Sequence, residues 1–309
     1  MISIEQRGSI YAILSGFLYG FVGYFGVSII HSSISITNML FWRFMIASLV
    51  IGVILFLTKP KQFPHKDMCI AFVNGAIFYG LSTWLYFLAC PYIGSGLAMV
   101  ILFTFPAMVM LLNHFIFKKE IPTIYYFALA IIIIGMCFFI DKNEIRVDIV
   151  GIVLSIFSAL SYAGYIVSSK KITSLTPMLS TLMICSGCAT TFFFFSCLNH
   201  TLTIPTTRII WLDLCGISIV STAAPVLLLM YSLNYIHSEK AAILSVLEPI
   251  FVVILGVTLL GEPMKLQYIM GIIIVLTGAL LTLVSQRTHL NLKNIKNRQL
   301  WGAVAIKKD

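Results

Sequence analysis

The sequence predicts an all-α integral membrane protein of ten transmembrane helices, arranged as two inverted five-helix repeats. Three observations carry this reading. The 309 residues are 60% hydrophobic and only 10% charged, against about 45–50% apolar and about 25% charged in an ordinary soluble domain. The apolar runs are continuous over some twenty residues, about the length a helix needs to cross a bilayer, and lack the alternating ten-residue pattern of barrel strands. Finally, the second half repeats the first at an offset of 143 residues.

Taken in order, the spans are 9–30, 36–57, 68–90, 95–117, 122–140, 148–169, 176–197, 211–235, 240–260 and 266–285. The first is read as a retained helix, because no small-residue cleavage site follows it and its flank carries only Arg7. The second holds Arg43, and the third Asn74, Trp84 and Tyr86. The fourth and ninth each contain a mid-span proline, Pro106 and Pro249. The seventh contains "CSGC" at 185–188. No soluble redox fold surrounds that pair and no second pair completes a zinc site, so the seven cysteines read as buried free thiols, with no metal or cofactor implied. Residues 1–143 and 144–285 form the two repeats, and 286–309 a basic cytoplasmic tail.

The net charge of +9 would suggest nucleic acid as a partner of a soluble protein. In a membrane chain, basic residues set orientation instead. With the N-terminus inside, fifteen Lys and Arg fall in inner segments and four in outer ones, Arg43 lying within a span. Both termini are therefore expected inside a bacterial cytoplasmic (inner) membrane. The lipid bilayer and a small-molecule substrate are the expected partners, with no nucleic acid, and the chain is a monomer or a homodimer.

The repeat pairs residues that chance seldom aligns. Gly8 falls on Gly151, Ser15 on Ser158, Tyr19 on Tyr162, Ser95 on Ser238, Pro106 on Pro249, Tyr125 on Tyr268 and Gly135 on Gly278. Five spans per half is an odd number, so the second half enters the membrane from the opposite side, the inverted arrangement of many secondary transporters. In the first span Gly8, Ala12, Gly16 and Gly20 recur every fourth residue, and their mates Gly151, Ser155, Ala159 and Ala163 are also small. Such stripes let helix backbones approach closely in lipid.

Proline removes a helical hydrogen bond and frees the carbonyl four residues earlier, here those of Leu102 and Ser245. Each proline is either a packing kink or a device that exposes backbone to a wet cavity. The residue before Pro249 is Glu248, whose mate is Phe105, so the scaffold itself does not demand an acid there. At about 1.5 Å per residue, Glu248 lies about 12 Å into a core roughly 30 Å thick. An intramembrane carboxyl is a candidate proton or substrate site by default, the alternative being a structural acid bonded to nearby hydroxyls or to Arg43. Arg43, about 10 Å below the outer face by the same rise, either pairs with Glu248, binds a substrate carboxylate through its planar fork, or snorkels to the outer headgroups. Tyr19, Tyr162, Trp84 and Ser245 complete the substrate- or proton-binding candidates. Tyr92, Tyr125, Tyr235 and Tyr268, near span ends, read as interface anchors.

The segments "YFLACPYIGSGLAMVILFTFPAMVMLLNHFIFKKEIP" (86–122) and "YSLNYIHSEKAAILSVLEPIFVVILGVTLLGEP" (231–263) resemble the EamA branch of the drug/metabolite transporter superfamily. Each holds a Tyr-rich helix end, a small turn, an Ala-rich helix with a central proline, and an acid before the next span, Glu120 and Glu262 here. The resemblance implies a ten-helix inverted-repeat carrier that moves amino acids, nucleobase-like compounds, S-adenosylmethionine or other metabolites without ATP. Consistently, no GxxxxGK[ST] stretch is present. Phe105 departs from a symmetric acid pattern, against two equivalent ion sites.

The expected function is therefore ATP-independent transport of small polar metabolites by alternating access, with an uptake carrier for a nucleoside-like metabolite as the second reading. A channel or non-transporting scaffold is the competing class. The six histidines are scattered, and no cluster of acids or histidines at one interface supports a membrane enzyme.

Overall fold

The computed structural model describes residues 3–22, 24–25, 29, 34–58, 63–140, 148–172, 174–261 and 263–282. Among these residues there are helices and no strands. Twelve helices are named here: α1 Ile4–Tyr19, α2 Ile36–Thr58, α3 His65–Ile93, α4 Ser95–Leu102, α5 Phe105–Phe117, α6 Thr123–Cys137, α7 Ile149–Lys171, α8 Pro177–Leu198, α9 Arg208–Tyr235, α10 Ser238–Ser245, α11 Glu248–Leu260 and α12 Leu266–Thr282. Seven stretches are long and apolar enough to cross a membrane: α2, α3, α4–α5, α7, α8, α9 and α10–α11. The helices α6 and α12 are shorter apolar elements. The expected Glu262, the links at 31–33 and 59–62, and the tail 286–309 lie outside the described residues.

Local chemistry sets the helix ends. Ser3 and Gln6 form a reciprocal capping box, so α1 starts five residues before the expected span. The Asp148 carboxylate accepts from the Val150 and Gly151 N–H groups at the start of α7. Thr176 caps α8, whose first residue is Pro177, where the missing N–H costs nothing. Lys118 after α5 and Gly261 after α11, themselves 143 residues apart, both end their helices in the left-handed conformation.

The offset of 143 reappears in three dimensions. The helices α4 and α10 are eight residues each, and α5 and α11 thirteen each, with every boundary displaced by the same offset. Both α3 and α9 contain a π-helical stretch, Asn74–Tyr79 and Ile219–Ala223. Contacts repeat as well. A Cβ on Gly8 would lie 2.7 Å from Tyr235 and 2.8 Å from Ile236, and one on Gly151 would lie 2.7 Å from Tyr92 and 2.6 Å from Ile93. The helices α6 and α12 meet reciprocally, since a Cβ on Gly135 would lie 2.7 Å from Val275 and one on Gly278 2.7 Å from Ile132, the mate of Val275. An exchange of this kind, residue i on j′ and j on i′, is what a pseudo-two-fold axis produces.

Four expectations need correction. Pro106 and Pro249 do not merely kink a continuous helix. The helix stops at Phe103–Thr104 and at Val246–Leu247, then restarts with each proline in the first turn of the new half-helix. Proline is tolerated there because first-turn N–H groups lack helical partners anyway. The cysteines are not uniformly buried: Cys185 and Cys188 are, but Cys69, Cys137 and Cys197 are exposed. An outward face of a bilayer-spanning helix meets hydrocarbon, where a thiol is at home. Tyr125 is buried at 4% exposure, whereas Tyr92 and Tyr235 are exposed as an interface anchor should be and Tyr268 is half-buried. Finally, Arg43 does not snorkel; it is 5% exposed.

Candidate functional site

The two broken helices supply the frame. Pro106 and Pro249 have no N–H, so the Leu102 and Ser245 carbonyls lack the bond that a continuous helix would supply from four residues on. Helix α1 lies directly against the second break, because Gly16 presents no side chain. A Cβ there would be 3.4 Å from both the Glu248 nitrogen and the Ser245 oxygen. Ser245 itself is 5% exposed, and its hydroxyl donates to the Ala241 carbonyl at 2.9 Å, so its side chain is already engaged.

Around these breaks stands a wall of aromatic side chains. The Tyr19 and Tyr79 hydroxyls share a hydrogen bond of 3.0 Å. Tyr79 stacks on Tyr165 with ring centroids 4.7 Å apart, and Tyr162 lies 5.5 Å from Tyr165 and 5.9 Å from Tyr79. Phe105 meets Tyr162 edge-on at 4.7 Å. Phe105, the first residue of α5, and Glu248, the first of α11, therefore stand at equivalent corners, one filled with a ring and the other with a carboxyl. Glu248 is half-buried and lies within electrostatic range of Arg43, Tyr86 and Tyr162.

Arg43 is built into the same wall. Its Nε donates to Thr222 Oγ1 at 2.6 Å and its Nη2 to the Ser221 carbonyl at 3.1 Å, both in the π-helical stretch of α9. Its Cζ lies 5.6 Å from the Phe44 ring centroid. Among the described residues no ion pair joins Arg43 to Glu248, so the two charges share one region without touching. A guanidinium with only part of its fork engaged retains N–H donors for another acceptor.

The structure thus brings together Glu248, Arg43, Tyr19, Tyr162 and the Ser245 carbonyl, with Pro106 and Pro249 at the breaks. It does not bring Trp84 among them. Trp84 stacks on Phe195 at 5.0 Å and lines a lateral cleft of about 160 Å³ with Gly80, Thr191 and Phe192. The rings of Phe192 and Phe44, stacked 5.9 Å apart, stand between that cleft and Tyr79. Glu120 lies on the exposed link after α5. Two wall residues were missed in the sequence, Tyr79 and Tyr165. Tyr165 is three residues past Tyr162, the spacing that shares a helix face. Its hydroxyl is fully buried and without a hydrogen-bond partner among the described residues. The signal for Tyr79 was weaker: it is buried at the end of a π-helical stretch, a feature that often occurs at functional sites but that the sequence does not announce.

Comparison with known proteins bears on the fold and the family. An uncharacterized transporter of Archaeoglobus fulgidus is 25% identical over 280 residues, covering 89% of this chain and 96% of its own. The uncharacterized transporter YxxF of Bacillus subtilis is 22% identical over 309 residues, 94% of each chain. A solved crystal structure superposes with a TM-score of 0.77 over 91% of this chain and 98% of its own at 14% identity, a likeness of fold. The model of the EamA-like transporter family matches twice, over residues 6–140 and 149–284, once on each side of the offset that organises the helices. This integral membrane chain belongs to the EamA-like transporter family.

Proposed function

We propose that the protein is a secondary, ATP-independent carrier of small polar metabolites such as amino acids or related compounds, working by alternating access. In this reading it has ten crossings in two inverted five-helix halves, with both termini inside the bacterial cytoplasmic membrane. The observation that carries it is the pair of interrupted helices at matched positions, one restarting at Glu248 and the other at Phe105. Half-helix ends near the bilayer midplane are where carriers of this architecture hold solutes and coupling ions. Here the Ser245 carbonyl, which Pro249 cannot engage, and the Glu248 carboxyl accept hydrogen bonds, the partly engaged Arg43 donates them, and tyrosine rings cover the apolar body of a solute. A metabolite with a cationic and an anionic group satisfies both charges at once. Glu248 is the group that binds a proton or a solute cation and releases it when the site faces the other side. Its mate Phe105 fills space without titrating, so a single coupling site serves both conformations.

Purified protein in proteoliposomes tests this reading. A carrier saturates and shows counterflow with a panel of unlabelled amino acids and nucleoside-like metabolites. Flux without saturation indicates a channel, and absence of flux for every solute of the panel a scaffold; either result removes the proposal.

A further inference from the structure

The two ends of the bundle are not equivalent, and the difference is concentrated in the first three residues of α10. Ser238, Glu239 and Lys240 are 1%, 4% and 3% exposed. Two ionisable side chains buried side by side at a helix start are costly unless each is paired. Both are. Lys240 Nζ lies 2.6 Å from the Glu5 carboxylate of α1, and Glu239 lies 3.8 Å from Lys119 Nζ on the link after α5. The Asn113 amide of α5 donates to Ser238 Oγ at 3.1 Å, and that hydroxyl donates to Glu239 at 3.3 Å. The start of α10 is thus pinned to α1 and to the end of α5, across the boundary between the two repeats.

The mates of these three residues are Ser95, Gly96 and Leu97, at the start of α4. There are no charges there, Ser95 is exposed, and Gly96 and Leu97 are half-buried. All eight residues of α10 are buried, whereas in α4 only Ala98 is. Helix α10 packs against α5, and no comparable packing joins their mates α4 and α11 among the described residues. A pseudo-symmetric molecule closed at one end and loosened at the matching place on the other is in one of two exchangeable states.

We infer that Glu5, Lys119, Glu239 and Lys240 form a latch that closes the end of the bundle where α1 begins, and that transport requires it to open. These are positioning residues for the transport cycle rather than part of the solute site. The inference rests on the carrier reading above, and on its orientation for the statement that this end is the inner one. A buried pair holds its state because loss of one partner leaves a charge uncompensated, enough to shift a two-state balance by about ten-fold or more.

The test is side-specific labelling of single cysteines by a membrane-impermeant maleimide, in a background without the native cysteines. One reporter is Ala241→Cys, fully buried and next in sequence to Lys240, and the other is Ser95→Cys, exposed at the start of α4, the mate of the start of α10. Lys240→Met is expected to raise labelling of the first in inside-out vesicles by about ten-fold or more and to lower labelling of the second from outside. The charge swap Glu5→Lys with Lys240→Glu is expected to restore both rates. Where Lys240→Met does not accumulate, Glu5→Gln is read in the same way. Unchanged rates in a well-expressed variant overturn the latch, as does faster labelling of both reporters, which reports loosening rather than exchange. No substrate is needed, so the outcome is separate from failure to find transport. If Ser95→Cys reacts only from the inside, the orientation is reversed, and the latch is judged by the same contrast with the faces exchanged.

Discussion

Ser95–Phe117 and Ser238–Leu260 are each eight helical residues, a two-residue break and thirteen more, yet one restarts at Phe105 and the other at Glu248. Their surroundings differ as much as their side chains. The first half-helix of one is mostly half-buried and uncharged, and that of the other is wholly buried and ion-paired. Backbone geometry is therefore the shared inheritance of the two segments, fixed by the matched prolines. Chemistry and exposure are where they part. In a carrier the shared part permits two exchangeable states, and the unshared part supplies one titratable site and a preference between the states.

The comparison breaks most visibly at the restart residues. A charge-assisted contact of about 3 kcal/mol corresponds to about 100-fold in affinity. Glu248→Leu is expected to lose at least that much in initial transport rate, while Phe105→Leu, which keeps an apolar side chain, retains most of it. Equal losses in both would make the acid no more than a packing element.

The charge on the wall sharpens the contrast next. Arg43 makes two bonds to the π-helical stretch of α9, and its mate is Ser186, so the guanidinium is again a feature of one half. A lysine places all its donors on one terminal nitrogen and cannot occupy both the Nε and the Nη2 positions of the fork at once. Losing one charge-assisted hydrogen bond of about 1.5 kcal/mol predicts about ten-fold weaker solute binding for Arg43→Lys, read as a raised half-saturation constant with protein level unchanged.

Where the halves are alike, matched changes should cost alike. Gly8→Ala and Gly151→Ala put a Cβ at 2.7 Å and 2.6 Å from the facing helix. Overpacking of this kind costs about 1–3 kcal/mol, and thermal melting in detergent should fall by similar amounts in the two variants. A loss confined to one of them would show that only one half needs the close approach. The smallest effect belongs to Trp84, in its lateral cleft beyond Phe192. A substitution away from the site shifts binding by about 0.5 kcal/mol or less, so Trp84→Leu should change the half-saturation constant by less than about two-fold.

Much of this was legible in the sequence, for identifiable reasons. Helices in lipid satisfy their own backbone, so apolar runs mark them directly. Glycine, proline and tyrosine at one offset disclosed the repeat, because those residues answer to backbone geometry and close packing. Glu248 and Arg43 stood out as rare charges in apolar spans. What stayed hidden depends on tertiary context. The prolines mark a weak point, but whether a helix bends or stops depends on what packs against the break, here Gly16 of α1. Tyr79 ends a π-helical stretch with no local signature, and Trp84, at a depth like that of Tyr162, is set apart by the Phe44 and Phe192 rings. Nothing local marks Glu239 and Lys240 as buried; only the fold encloses them.

The central claim is that one carboxyl, set at one of two matched breaks, couples the exchange of states to a proton. The most direct measurement compares Glu248→Gln with the unsubstituted protein in proteoliposomes, for pH-driven accumulation and for solute counterflow without a gradient. Glutamine keeps the size and hydrogen-bonding capacity but cannot titrate. The account predicts that accumulation is abolished while part of the counterflow survives. Normal pH-driven accumulation by well-expressed Glu248→Gln protein would contradict it and leave Arg43 as the charge to pursue.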